Sequence, residues 1–118
     1  MNDQDIYLLY SGQFRLIDDN LDDLVKKAES FIEAKQIADL WKQANLNYLK
    51  ARNSLFSNHS AEIATLVKEF QEAQKSIAKA LADMKQQTET IKKVVMLLSV
   101  AVAKGKELIK TTEELDKA

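Results

Sequence analysis

The chain of 118 residues contains no proline and only two glycines, Gly12 and Gly105. Tight turns between β-strands depend on these two residue types, so a sheet built from several hairpins is a poor fit to this sequence. Alanine, leucine, lysine, glutamate and glutamine are abundant, and all five favour helix. The length suits one domain. These features together predict a single all-α domain.

The clearest break in the helical pattern is the segment FSNHS, residues 56–60. Serine, asparagine and histidine in succession are poor helix-interior residues and good cap or turn residues. Ser60 suits an N-cap, and Glu62 would face the positive end of the dipole of the helix that follows. We therefore predict a turn at about 57–60 that separates two helices.

A heptad pattern runs through the second half of the chain. Thirteen of the sixteen seam positions after the turn are apolar, whereas 46% of the whole chain is hydrophobic. Such a stripe is typical of a helix that packs along a coiled-coil seam. The sixteen positions are Ile63, Leu66, Phe70, Ala73, Ile77, Ala80, Met84, Gln87, Ile91, Val94, Leu98, Ala101, Gly105, Leu108, Thr112 and Leu115.

The first half of the chain shows the heptad pattern in two runs, one over 7–31 and one over 34–55. The runs join one residue short of a strict repeat, between Phe31 and Ile37. A discontinuity of this kind changes the supercoil locally, and we expect the helix to continue through it.

The two halves together predict a long antiparallel helical hairpin of coiled-coil type, with helices at about 4–56 and 61–116. Two alternatives stay open. Gly12 would separate a short N-terminal helix over 1–12, because glycine weakens a helix. The segment QQTET at 86–90 would break the second helix and give a three-helix bundle.

The segment Val94–Ala103 is apolar on every side of the predicted helix. One hairpin partner covers a single stripe, so the remaining apolar surface requires further neighbours. We expect a homodimer in which two hairpins form a four-helix bundle; packing against the chain's own N-terminal segment is the alternative. The predicted interface residues, which fall off the seam, are Ile6, Leu9, Leu16, Val95, Leu97, Val100 and Val102.

Charge is divided unevenly along the chain. Residues 1–25 contain six aspartates and one arginine, a balance of −5, and residues 92–110 contain five lysines and one glutamate, a balance of +4. We expect the turn at 57–60 to set these two stretches side by side, because opposite fields help to fix orientation.

Residues that carry catalysis or bind metals are scarce. There is no cysteine, and the single histidine, His59, falls in the predicted turn. The sequence has no Glu-x-x-His pair and no glycine-rich phosphate loop. The acidic pairs at 18–19 and 22–23 fit a solvated helix surface better than a cation site. We predict that the protein is not an enzyme and has no catalytic site, metal site or cofactor.

Partner and function predictions follow from this scarcity. A net charge of −1 and only two arginines, Arg15 and Arg52, argue against a nucleic-acid partner. We predict a non-enzymatic protein–protein interaction module, a self-associating hairpin that works as an adaptor, inhibitor, chaperone or secretion component. The sequence does not identify its protein partner.

A membrane-active protein is the alternative function, in which the two termini form an apolar tip that inserts. The ten residues 94–103 cover about 15 Å as helix, half of a hydrocarbon core of roughly 30 Å, so this segment is not expected to be a transmembrane helix. A membrane-active tip is the less favoured function, because an interfacial helix requires a polar face that this segment lacks. The acidic N-terminus, MNDQD, does not resemble a cleaved signal peptide. That favours a cytoplasmic location, with leaderless secretion as the alternative.

Overall fold

The computed structural model describes residues 1–117, which form four α-helices and one short 3₁₀-helix. No strand occurs in this range, so the predicted all-α class is confirmed. The first helix passes through Gly12 without a break, and residues 1–12 are not a separate helix. The elements are α1 (Asp3–Lys27), α2 (Phe31–Ala51), the 3₁₀ segment (Phe56–His59), α3 (Ser60–Lys85) and α4 (Ile91–Lys117).

The first predicted helix, at about 4–56, is divided into α1 and α2. The chain leaves the helical conformation at Ala28, where ψ is 135°. Ser30 then caps α2, because its hydroxyl accepts a hydrogen bond of 3.1 Å from the backbone N–H of Glu33. The heptad discontinuity beside Phe31 therefore marks a reversal of the chain. The expectation that the helix continues through it is wrong.

The second predicted helix, at about 61–116, divides at the segment 86–90. Gln87 has a φ of 62°, a left-handed conformation that follows the end of α3. The hydroxyl of Thr90 accepts a hydrogen bond of 3.3 Å from the backbone N–H of Lys93 at the start of α4. The three-helix alternative identified this break, but it too is wrong, because the first half also divides and the helices number four.

The backbone of Gln87 leads to a small stability prediction. The left-handed conformation costs a residue with a Cβ about 1–2 kcal/mol, and glycine avoids this cost. We expect Gln87→Gly to raise the free energy of unfolding by about 0.5–1 kcal/mol, since glycine also adds entropy to the unfolded chain. The control is Gln86→Gly, where φ is −90°, and it should lower stability. Urea unfolding of both variants measures the difference; a loss of stability at both positions would contradict the assignment.

The helices pack as two antiparallel pairs. α1 lies against α2, with Tyr7 beside Tyr48 and Phe14 beside Trp41. α3 lies against α4 in the same way. The two pairs stack so that α2 runs along α4 and α1 runs along α3. α1 and α4 are therefore diagonal across the core, as are α2 and α3.

The connection from α2 to α3 crosses the end of the molecule where α1 begins and α4 ends. Phe56 of the 3₁₀ segment is fully buried there. The backbone N–H and the hydroxyl of Ser57 both donate to the carboxylate of Asp3, at 2.7 and 3.1 Å. His59 Nε2 pairs with the carboxylate of Asp116. The crossing segment is thus attached to the beginning of α1 and to the end of α4.

The interior of the molecule consists of two adjoining clusters of buried side chains. One lies towards the turns at 28–30 and 86–90, and the other lies towards the chain ends. All four α-helices contribute buried residues to these clusters. The largest fully buried side chains include Ile17, Leu24, Ile37, Ile77 and Leu98 in the first cluster, and Tyr10, Phe56, Phe70, Ile63 and Leu108 in the second.

Gly105 allows α4 to approach two aromatic rings closely. A Cβ at this position would lie 3.0 Å from Cε1 of Tyr10 and 3.1 Å from Cε1 of Phe70. The Tyr10 hydroxyl donates a hydrogen bond of 2.6 Å to the Gly105 carbonyl oxygen. Burial raises the pKa of Tyr10 well above its ordinary value of 10.0. The buried phenol therefore joins α1 to α4 across the core in its neutral form.

Removing this hydroxyl should reveal a dependence on pH. We expect Tyr10→Phe to cost about 1–3 kcal/mol at neutral pH, because a buried carbonyl loses its donor. In the unfolded chain Tyr10 ionises above pH 10.0, so wild-type stability falls there, whereas the phenylalanine variant lacks this loss. The difference in free energy of unfolding between wild type and Tyr10→Phe should therefore shrink by about 1.4 kcal/mol per pH unit above pH 10.0. Urea unfolding from pH 8 to 11 tests this, and a difference that is constant with pH would contradict it.

Candidate binding groove between α2 and α4

Three of the seven predicted interface residues lie in the protein's own core. Ile6, Val95 and Val102 are 2%, 4% and 1% exposed. The breaks at 28–30 and 86–90 bring all four helices together, so neighbours from the same chain cover these side chains. The predicted contact with a second hairpin at these positions is therefore replaced by intrachain packing.

The other four predicted interface residues are more accessible. Leu9, Leu16 and Leu97 are partly buried and pack against the core clusters. Val100 is 46% exposed on α4, and Met96, one turn earlier on the same helix, is 56% exposed. Part of the apolar segment in α4 thus reaches the surface, beside the helix that runs along it.

A groove lies between α2 and α4. It has a concavity of about 290 Å³ towards the chain ends and another of about 610 Å³ towards the turn at 86–90. We call the two concavities the α2–α4 groove. The first is lined by Leu46, Lys50, Lys106, Ile109, Lys110 and Glu113, and the second by Glu33, Lys92, Lys93, Val95 and Met96, among others.

The floor of the α2–α4 groove is apolar and fixed in place. Val95 and Ile109 are 4% and 3% exposed, so they close the space between the helices. Asn47 is buried, and its Nδ2 donates a hydrogen bond of 3.2 Å to the carbonyl oxygen of Val102. This bond joins α2 to α4 directly below the surface. Leu46 stands above the floor and is 55% exposed.

Lysines dominate the rim of the groove. Two carboxylates, Glu33 and Glu113, line it beside five lysines, and a third, Glu89, pairs with one of these lysines, which leaves an excess of two positive charges. Lys93 pairs with Glu89 at 3.5 Å. The other four form no ion pair within residues 1–117. The five lysines are Lys50, Lys92, Lys93, Lys106 and Lys110.

The acidic residues of the N-terminal helix do not neutralise these lysines. α1 and α4 are diagonal across the core, so the expectation that stretches 1–25 and 92–110 lie side by side is wrong. Lys104 instead forms a bond of 2.8 Å with Glu69 of α3, and this contact raises the pKa of Lys104. The molecule therefore presents acid on the α1 side and lysine on the α4 side.

A row of aromatic rings lies in the contact between α1 and α2. Tyr7, Tyr48, Phe14 and Trp41 follow one another with centroids 5.4–5.9 Å apart. A hydrogen bond between the two phenols raises the pKa of Tyr7 and lowers that of Tyr48. Trp41 Nε1 donates to Asp18 at 2.9 Å. The ring faces and polar tips are engaged within the pair of helices, so the row stabilises that pair.

The described chain was also searched for other sites. No group of three or more metal-ligating side chains lies close together in residues 1–117. No helix within the described range is long and apolar enough to cross a membrane.

Comparison with known proteins found no matching family model, curated protein or solved structure. The chemistry of the groove is therefore the basis for inferring a function.

Sequence reasoning missed the α2–α4 groove. The four-residue spacing of Lys106 and Lys110 places both on one side of a helix, and this was an available signal. The exposed Leu46 gave no comparable signal, because an isolated surface leucine is ordinary. The contact between α2 and α4 requires the chain to reverse at 28–30 and again at 86–90. Of these two reversals, the sequence pattern indicated only the one at 86–90.

Proposed function

We propose that this protein is a non-enzymatic protein-binding module whose α2–α4 groove receives a helical segment of a partner. The observation that carries the proposal is the pairing of exposed Leu46 and Met96 with an apolar floor between two parallel helices. Grooves of this kind suit an amphipathic helix, which inserts its apolar side chains between the two helices.

The length of the groove supports a helical guest. On α2 the outermost lining residues of the two separate concavities, Glu33 and Lys50, lie about 25 Å apart at 1.5 Å per residue. A guest helix of four to five turns would cover this length and present apolar side chains at spacings of three and four. Partners bound in this way would give the protein an adaptor, inhibitor, chaperone or secretion role.

Self-association through paired hairpins is less well supported as a function. The off-seam residues that motivated it, Val95 and Val102 among them, are covered by helices of the same chain. The membrane-active alternative is weakened for the same reason, because Ile6 of the proposed apolar tip is also buried. The exposed apolar surface beside the groove supports binding of a partner better than the buried off-seam residues do.

Site-specific photocrosslinking in the native host tests the proposal. The photoreactive residue p-benzoylphenylalanine is placed at Met96 in the groove, and at Leu8 as the control. Leu8 is 52% exposed on α1, away from the groove. We expect a discrete protein adduct from Met96 that is absent from Leu8 and is weakened by Leu46→Ser. The same adducts from both positions, or none from Met96, would reject the groove as the binding site.

A further inference from the structure

We infer that the occupant of the α2–α4 groove is an acidic amphipathic helix of another protein; this inference rests on the proposed function. The rim carries five lysines against two glutamates. Lys50, Lys106 and Lys110 surround Leu46 at one end, and Lys92 and Lys93 lie near Met96 at the other. A guest helix with apolar residues on one face and Glu or Asp along its edges matches both the floor and the rim.

The positions of the lysines suit a helix that lies lengthwise in the groove. α2 contributes Lys50 to one wall, and α4 contributes Lys92, Lys106 and Lys110 to the other. None of these four is neutralised by an ion pair within the described chain. Carboxylates on the α4 flank of a guest helix would therefore find cations at both ends of the site, and those on the α2 flank would find Lys50 at one end and Glu33 at the other. Charges at such a rim mainly set partner choice and the rate of association.

A second copy of this chain is a poorer occupant. A symmetric pair formed groove to groove would place lysines opposite lysines, and like charges across an interface are unfavourable. If the acidic α1 of another copy docked in the groove, its carboxylates would pair with the lysines of the rim, but it would offer too few apolar side chains to cover the floor. The exposed apolar residues of α1 are Leu8 and Val25, which are too far apart in sequence to form the three-and-four spacing of a helix anchor.

Nucleic acid is also a poorer occupant than an acidic helix. Buried Val95 and Ile109 lie at the floor between the lysines, and exposed Leu46 stands above it, so the groove offers apolar surface that a phosphate backbone does not match. The groove contains no arginine, the residue best suited to bidentate contacts with phosphate or base. The acidic side of α1 would repel a long polyanion that passes around the molecule.

The test uses two synthetic helical peptides and the full-length protein. Both peptides carry leucine at spacings of three and four over four turns; one has glutamate at its flanking positions and the other has lysine. Fluorescence anisotropy measures affinity, and methyl chemical shifts of Leu46, Val95 and Met96, which line the groove, locate the site. We expect the acidic peptide to bind in the groove at least about tenfold more tightly than the basic one, with an affinity that falls as salt rises.

Matched variants make the charge argument specific. Lys106→Glu with Lys110→Glu reverses two rim charges, and Lys75→Glu with Lys79→Glu reverses two exposed lysines of the same spacing on α3. We expect the first pair to weaken binding of the acidic peptide about tenfold or more, and the second pair to change it less than twofold. Circular dichroism confirms that both variants fold, and glutamine replacements repeat the test without added negative charge.

The outcomes separate this inference from the proposed function. Equal or tighter binding of the basic peptide in the groove would overturn the acidic partner and leave the groove as a helix-binding site. Absence of binding by either peptide, alongside a Met96 photoadduct, would overturn the inference as well. Tighter binding of a single-stranded DNA oligonucleotide at these methyl groups would point to nucleic acid. A dimer that Leu46→Ser dissociates would identify a second copy of this chain.

Discussion

Replacing Val102 with glutamate should unfold the protein, as should replacing Leu98. Both side chains are buried, at 1% and 0% exposed, and both belong to the apolar cluster near the turns at 28–30 and 86–90. An unpaired charge in an apolar interior costs several kcal/mol, which is a large part of the 5–15 kcal/mol that typically stabilises a domain. This differs from the expectation drawn from sequence, in which Val102 faced a second hairpin.

Val100→Glu is the matched control for this prediction. Val100 lies two residues earlier on the same helix and is 46% exposed, so its charge remains solvated and the fold should persist. Far-UV circular dichroism and urea unfolding compare the three variants. A Val102→Glu protein that keeps wild-type helix content and stability, and changes only its state of association, would show that the side chain lies at an interface between chains.

Truncation of Phe56 should produce the second large effect. The ring is fully buried under the crossing between α2 and α3 and stacks near Tyr10, with centroids 6.0 Å apart. Removing a buried phenylalanine side chain typically costs about 3–5 kcal/mol, because the cavity it leaves closes only in part. We therefore expect Phe56→Ala to lower the free energy of unfolding by that amount.

Leu55→Ala provides the adjacent comparison. Leu55 is 54% exposed, and its truncation should change stability by less than about 0.5 kcal/mol. Thermal and urea unfolding of both variants measure the contrast. Similar small losses at positions 55 and 56 would show that the crossing segment does not close the end of the core.

The helical class could be predicted from composition, and the turn before α3 from the residues FSNHS. The reversal before α2 could not be predicted from the heptad alone, because a one-residue shortfall is compatible with both a supercoil change and a break. The sequence feature that marks this reversal is the helix cap formed by Ser30 and Glu33. It was overlooked because the heptad pattern is apolar both before and after it. A local cap of this kind satisfies helix donors and so permits the chain to turn.

The predicted interface shows a limit of pattern reasoning. Val95 and Val102 were recognised correctly as residues that require an additional neighbour. An apolar pattern does not state whether that neighbour comes from the same chain or from another, since the packing is physically the same. The missed reversal at 28–30 decided between these two outcomes. The same reversal places α2 along α4, and the groove lined with lysines results from that contact.

A distance measurement between residues 4 and 52 tests the four-helix fold most directly. Gln4 and Arg52 line the same concavity at the end of the molecule, whose long dimension is 44 Å. In one continuous helix they would be about 72 Å apart, at 1.5 Å per residue. The sequence has no cysteine, so Gln4→Cys with Arg52→Cys provides the only two sites for spin labels. Dilution with unlabelled protein separates distances within one chain from distances between chains. We expect a single short distance that survives dilution, whereas a distance near 70 Å, or a short one that disappears on dilution, would contradict a fold completed within one chain.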